Sequence, residues 1–273
     1  MSRALSPLEA KLILHLEWEK QPVVTTQQTM AILGASYDHA RQILHRLTQS
    51  HWLAPIRPGK YELIPAERGE HAFVDTNPLF IGSTLVAPYS YSFATAAFFH
   101  GLSTQASATV YIATNTGKTR LLVVRGKEYR LVVQPKHKFF GAVEVNAYGS
   151  RVKMAELEKT ILDSLDRPAY AGGIPEVAAM LVHGQGQLNW KRLADEAVRF
   201  KSHALIQRLG YLCDLLELSI GASARQTLLA QIGKATSYLG QLEQWKMGGE
   251  YSPTWQIVDN IPRHELLAEI AVR

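Results

Sequence analysis

Three short stretches with helical spacing of apolar residues open the chain. Leu8, Leu12 and Leu16, joined by Ile13, recur on one face of the first. Met30, Ile32 and Leu33 give the second its apolar side. Ala40, Ile43, Leu44 and Leu47 form the stripe of the third, which runs to about residue 50. Each stretch carries a start signal. In Ser6-Pro7-Leu8-Glu9 a cap hydroxyl, a proline suited to the first turn and a Glu complete a capping box. Thr25 and Gln28 repeat the device, Gly34 ends the second helix and Ser36 caps the third. Opposite the third stripe lie Asp38, Gln42, His45 and Gln49, flanked by Arg41 and Arg46. From Trp52 to Ile64 the pattern changes to two short strands around Pro58-Gly59, with Arg57 and Lys60 at the tip.

Three helices, a tight turn between the second and third, and a basic hairpin predict a winged helix-turn-helix over residues 1–68. In such a module the third helix enters the major groove and the hairpin straddles the backbone. The same residues would otherwise make a winged helix that packs only on protein. Side-chain chemistry assigns roles on a duplex. The Gln42 amide suits adenine, and Arg41 or Arg46 would fork onto guanine or hold a phosphate. Thr26, Gln27 and Tyr37 sit where helix starts meet backbone phosphates. Arg57 and Lys60 would position rather than specify, and Asp38, His45 and Gln49 complete the outward face.

Beyond Thr76-Asn77-Pro78, a turn that ends a linker, residues 69–273 predict a larger mixed α/β domain. A helix is expected at 89–102, and β-branched and aromatic runs predict strands at 109–113, 120–124, 129–134 and 142–146. The region 105–150 is thus strand-rich and 153–245 mainly helical, beginning with a helix at 154–166, a helical tail. A late strand at about 255–259 is expected to return to the sheet. The fold class is α+β.

Charge adds one feature. The formal net charge is +5, but residues 1–68 hold eight Lys/Arg against six Asp/Glu. Lys118, Arg120, Arg125, Lys127, Arg130, Lys136, Lys138, Arg151 and Lys153 stand against only Glu128 and Glu144. This block is either a solvated strand face or a surface for phosphate or an acidic partner. Catalytic patterns are absent. Glu156, Glu158, Lys159 and Asp163 crowd one helix, where such charges are read as surface pairs. Glu144 lies on a strand without the Glu-x-Lys of a restriction-type nuclease. No phosphate loop, nucleophile elbow or dinucleotide glycine pattern appears. The four histidines of the first segment lack metal-ligand spacing. Neither a metal nor a cofactor nor enzymatic activity is expected. The single Cys213 fits a reducing compartment. There is no run of about eighteen apolar residues and no signal-peptide core, so a cytoplasmic protein without a membrane partner is expected.

Several segments carry a resemblance in their order and spacing. They are Ser92-Phe93-Ala94-Thr95-Ala96-Ala97, Thr109-Val110-Tyr111-Ile112-Ala113, the run from Lys153 to Asp163, and the turn from Arg167-Pro168 to Gly172-Gly173. Behind an N-terminal winged helix, over residues 6–260, they resemble AbiEi-type antitoxins of bacterial abortive-infection toxin–antitoxin pairs. The resemblance implies a repressor of its own operon, bound to inverted repeats of double-stranded operator DNA; a multimer on those repeats is one arrangement, and the number of copies stays open. It also implies an antagonist of a nucleotidyltransferase-like toxin, acting through the second domain without needing a stable complex (a type IV antitoxin). The basic block would then be a second nucleic-acid contact or the surface that opposes the toxin. The competing function is an interaction scaffold, or a degenerate metal-dependent nuclease, with a structural winged helix.

Overall fold

A computed structural model describes residues 4–69, 77–242, 244, 245 and 248–270. Contacts divide the chain into two units, Met1–Thr84 with Val123–Gly126, and Leu85–Leu122 with Lys127–Arg273. The first unit therefore extends past residue 68, and it takes in a short turn from the middle of the chain.

In the first unit, local signals and observed elements coincide. Helix α1 (Pro7–Trp18) begins with a capping box in which the Ser6 N–H donates to Glu9 Oε2 at 2.8 Å. After β1 (Val23–Thr25), α2 (Thr26–Leu33) opens on Thr25, whose hydroxyl accepts the Gln28 N–H at 3.2 Å. Gly34 closes α2 at φ 65°, a left-handed turn that a side chain would strain. Ser36 then caps α3 (Tyr37–Gln49). Strands β2 (Leu53–Arg57) and β3 (Lys60–Leu63) form the expected hairpin. Strand β1 was not expected: three residues are too few to show a period, yet they pair antiparallel with β3 and give the order β1-β3-β2. The core joins Leu12, Leu16, Ile43, Leu44 and Leu47, none with any exposure, to Val24, Leu53 and Leu63. Helix α4 (Pro78–Ser83) follows, with the Asn77 side chain accepting the Leu79 N–H at 2.9 Å.

The second unit is built on β4 (Ser90–Tyr91), α5 (Phe93–Phe99), β5 (Thr109–Thr114), β6 (Arg120–Val124), β7 (Lys127–Val133), β8 (Ala142–Ala147) and β9 (Ser150–Ala155). The strands make one mixed sheet, ordered β6-β7-β5-β4-β9-β8. Helices α6 (Leu157–Asp166), α7 (Ile174–Gly184), α8 (Trp190–Arg199), α9 (His203–Leu215) and α10 (Ala222–Leu229) follow. Then come β10 (Ser237–Tyr238), β11 (Glu250–Ser252), β12 (Ile257–Asp259) and α11 (Arg263–Ala268). The fold is mixed α/β, in the α+β class.

Three expectations are corrected. The helix over 89–102 is a two-residue strand followed, after Ser92, by the shorter α5, whose first residue Phe93 has φ 54°. The helix expected from 154 starts at Leu157, because β9 runs to Ala155. Its alternation of exposed Arg151 and Lys153 with buried Val152 and Met154 is a strand period. The late strand does not return to the large sheet. It is β12, which pairs with β10 in parallel and β11 antiparallel in a separate three-stranded sheet.

Candidate nucleic-acid interface

Helix α3 divides sharply. Ala40, Ile43, Leu44 and Leu47 have no exposure, whereas Tyr37, Asp38, His39, Arg41, Gln42, His45, Arg46 and Gln49 are exposed. Thirteen residues make a rod of about 20 Å, long enough to lie in a groove. Near its N-terminal end the Arg41 guanidinium stands 5.8 Å from the Tyr37 ring centroid, one helical turn away. Gln27 on α2 and Arg57 at the end of β2 are also exposed.

Three of the expected contact residues are held by the fold instead. Thr26 is 7% exposed, its N–H donates to the Gly59 carbonyl at 3.0 Å, and its side chain lies under that turn. It is not placed to meet a phosphate. Lys60 is half-buried and its ammonium donates to the Thr84 carbonyl. Burial, and then the nearby Arg57 charge, lower its pKa. Arg46 remains half exposed, but its Nε donates to Glu9 Oε1 at 2.7 Å. Its two outer nitrogens stay open for a phosphate or a guanine edge, but the pair with Glu9 fixes where they can point. Sequence spacing carried no sign of these ties, because each joins elements remote along the chain.

The Glu9 pair has a testable consequence. Burial pushes the Glu9 carboxyl up, but hydrogen bonds from Arg46 and Ser6 outweigh it and leave the pKa below the ordinary carboxylate value. Stability from this lowered pKa is present above about pH 4.5, the unfolded value, and is lost as pH falls through the folded one. Melting curves from pH 7 down to 3 are expected to show Glu9→Gln with a shallower acid decline than the wild type. Equal slopes would deny the pair that role.

The basic block does not form one surface. The Arg125 guanidinium donates to Glu62 Oε2 at 2.6 Å and to the Pro55 carbonyl at 3.1 Å, within the first unit. Lys138 holds both Asp166 oxygens, at 2.7 and 2.9 Å, and stands over the Phe200 ring. Arg130 is half-buried in β7 opposite Tyr111 of β5. Lys127 opens β7 at the other end of that strand from Val133. Lys118, Arg120, Lys136, Arg151 and Lys153 are exposed. Glu144, the nuclease-like carboxylate, is exposed on β8 opposite Lys153 of β9, and its only ion pair among the described residues is a loose one to Arg151 at 3.8 Å.

The charges of α6 are corrected outright. Glu158, Lys159 and Asp163 are buried at 6%, 2% and 0% exposure. Asp163 accepts from Ser92 Oγ and Gln134 Nε2, each at 2.5 Å, and from the Lys159 ammonium. Lys159 also lies 5.4 and 5.1 Å from the ring centroids of Phe140 and Phe200. Helix α6 is central, packed against α5, α7, α8 and α9, so even its polar side is inside. The cluster ties α6 to Ser92, between β4 and α5, and to Gln134, just past β7, and its buried groups are closed to a substrate. Cys213 on α9 is equally buried, and burial pushes its thiol up to about 12, leaving it unreactive. Among the described residues no helix is long and apolar enough to cross a membrane.

No family model matches the chain, and no curated protein matches it. Among solved structures it is similar to the RV2827C protein from Mycobacterium tuberculosis. That crystal structure superposes with a TM-score of 0.64 over 98% of this chain and 95% of that one, at 20% identity. At this identity the likeness shows the fold alone.

Proposed function

We propose that the first unit is a winged helix-turn-helix that reads duplex DNA with α3, and that the protein is an operator-binding repressor. One observation carries this: a thirteen-residue helix with a wholly buried apolar stripe and a wholly exposed polar face. Gln42 sits mid-helix with the amide that pairs with adenine, and Arg41 and Arg57 are exposed for phosphate or guanine. The capped start of α2, with Gln27 exposed, supports a backbone contact there. The sequence resemblance supports the wider role, an autorepressor that is the antitoxin to a nucleotidyltransferase-like toxin.

The test is a gel shift with DNA upstream of the gene and a scrambled duplex of equal length. Preference for the upstream duplex is expected, and Gln42→Ala is expected to cost about 1–3 kcal/mol on it alone. The tied Lys60 and Arg46 favour the competing role, a scaffold whose winged helix packs on protein. Equal wild-type affinity for both duplexes would select it.

A further inference from the structure

The first unit is a weak electrostatic partner for DNA. With Lys60 withdrawn, its face offers Arg41, Arg57 and the outer nitrogens of Arg46. Three neutralised phosphates give a salt slope of only about −3. Strand registers in the second unit place further cations together.

Strands β5 and β7 run parallel and finish side by side at Thr114 and Val133. Lys118 lies just after β5 and Lys136 just after β7. The Val133 N–H donates to Thr119 Oγ1 at 3.0 Å, which brings the start of β6, and so Arg120, to the same end. Strand β4 runs antiparallel to β5, with Ser90 opposite Ala113, and β9 runs parallel to β4, with Tyr91 opposite Met154. The start of β9, with Arg151 and Lys153, therefore lies at this end too. The order β6-β7-β5-β4-β9 spans four strand spacings, about 19 Å. All five side chains belong to exposed residues, and Lys118, Arg120, Lys136 and Lys153 make no ion pair among the described residues. Glu144 is the one carboxylate that the register sets among them.

We propose that this end of the sheet is a second nucleic-acid contact, a row of cations that binds the phosphate backbone of a duplex without reading its sequence. The proposal rests on the operator-binding role and adds to it a contact outside the first unit. A polyanion fits better than a protein partner, because the row consists of long cationic side chains with exposed Thr116 and Thr119 among them. Protein interfaces are instead depleted of lysine and centred on apolar anchors. About 19 Å is five or six base pairs of duplex rise, enough phosphates for every cation in the row.

The test uses the full chain with Lys118, Arg120, Lys136 and Lys153 all changed to Gln, on upstream and scrambled duplexes of about 40 base pairs. Every cation that no longer neutralises a phosphate lowers the slope of log K against log salt by about 0.9, so a fall of about 3.6 is expected on both duplexes. Affinity for scrambled DNA at low salt should drop tenfold or more. A slope change under about two overturns the proposal, whether the row is then merely solvated or faces an acidic protein. If the fourfold variant melts early, Lys118→Gln and Lys136→Gln singly are each expected to remove about one from the slope. The two functional claims fail separately: α3 is read by the ratio of upstream to scrambled affinity, and the row by the slope.

Discussion

Asp163→Ala is expected to destabilise the second unit by about 3–5 kcal/mol, read as a shift in the midpoint of urea unfolding. The reason is what the change leaves behind. Lys159, at 2% exposure, would keep a charge between two aromatic rings, with the Gln134 carbonyl oxygen 3.4 Å away as its remaining hydrogen-bond partner. Ser92 and the Gln134 amide would lose their acceptor at the same time. A buried pair is weakly stabilising when whole and costly when halved. Pairing Asp163→Asn with Lys159→Met should therefore cost at least 1 kcal/mol less than the two single changes added together. Additive costs, or a loss below 1 kcal/mol for Asp163→Ala, would mean that water reaches the cluster. None of this is expected to change the ratio of upstream to scrambled DNA affinity, because the cluster lies wholly in the second unit.

The first unit is largely legible in the sequence because its signals are local. Ser6 with Glu9 and Thr25 with Gln28 are three residues apart, and each does what the spacing implies. The stripe from Ala40 to Leu47 marks the buried side of α3 because a single helix has one core to face. Legibility ends where a partner lies far along the chain. Thr26, Arg46 and Lys60 have the chemistry of phosphate contacts, but Gly59, Glu9 and Thr84 engage them. The charges of α6 defeat the surface-pair rule because that rule assumes one wet face, and a helix packed by four others has none. The basic block looks continuous because its members are close in sequence. A sheet with two parallel pairings sorts them instead by strand end. The three residues of β1 and the two of β4 and β10 are shorter than any period that could announce them.

Gly210→Ala is the second large effect, and its sign runs against helix propensity. In the interior of a helix such as α9, alanine would ordinarily gain about 1 kcal/mol over glycine. A Cβ built on Gly210 would overlap the six-membered ring of Trp255, which is 1% exposed. The ring has little room to retreat. Its Nε1 donates to Asp214 Oδ2 at 2.7 Å, one turn further along α9, and the same carboxylate oxygen accepts from Arg225 Nη2 of α10 at 2.9 Å. The Arg225 guanidinium also stands 5.4 Å from the Trp255 ring centroid. The clash is therefore with a clamped indole, and a loss of about 3 kcal/mol is expected. Gly184 at the end of α7 is the comparison. A Cβ there meets Leu102 Cδ2 at 2.7 Å, the tip of a flexible side chain, so Gly184→Ala should stay within about 1 kcal/mol of the wild type. Removing the ring tests the cause: with Trp255→Leu already in place, adding Gly210→Ala should cost less than 1 kcal/mol. If that addition still costs about 3 kcal/mol, the penalty belongs to the α9 backbone and not to the indole packed on it.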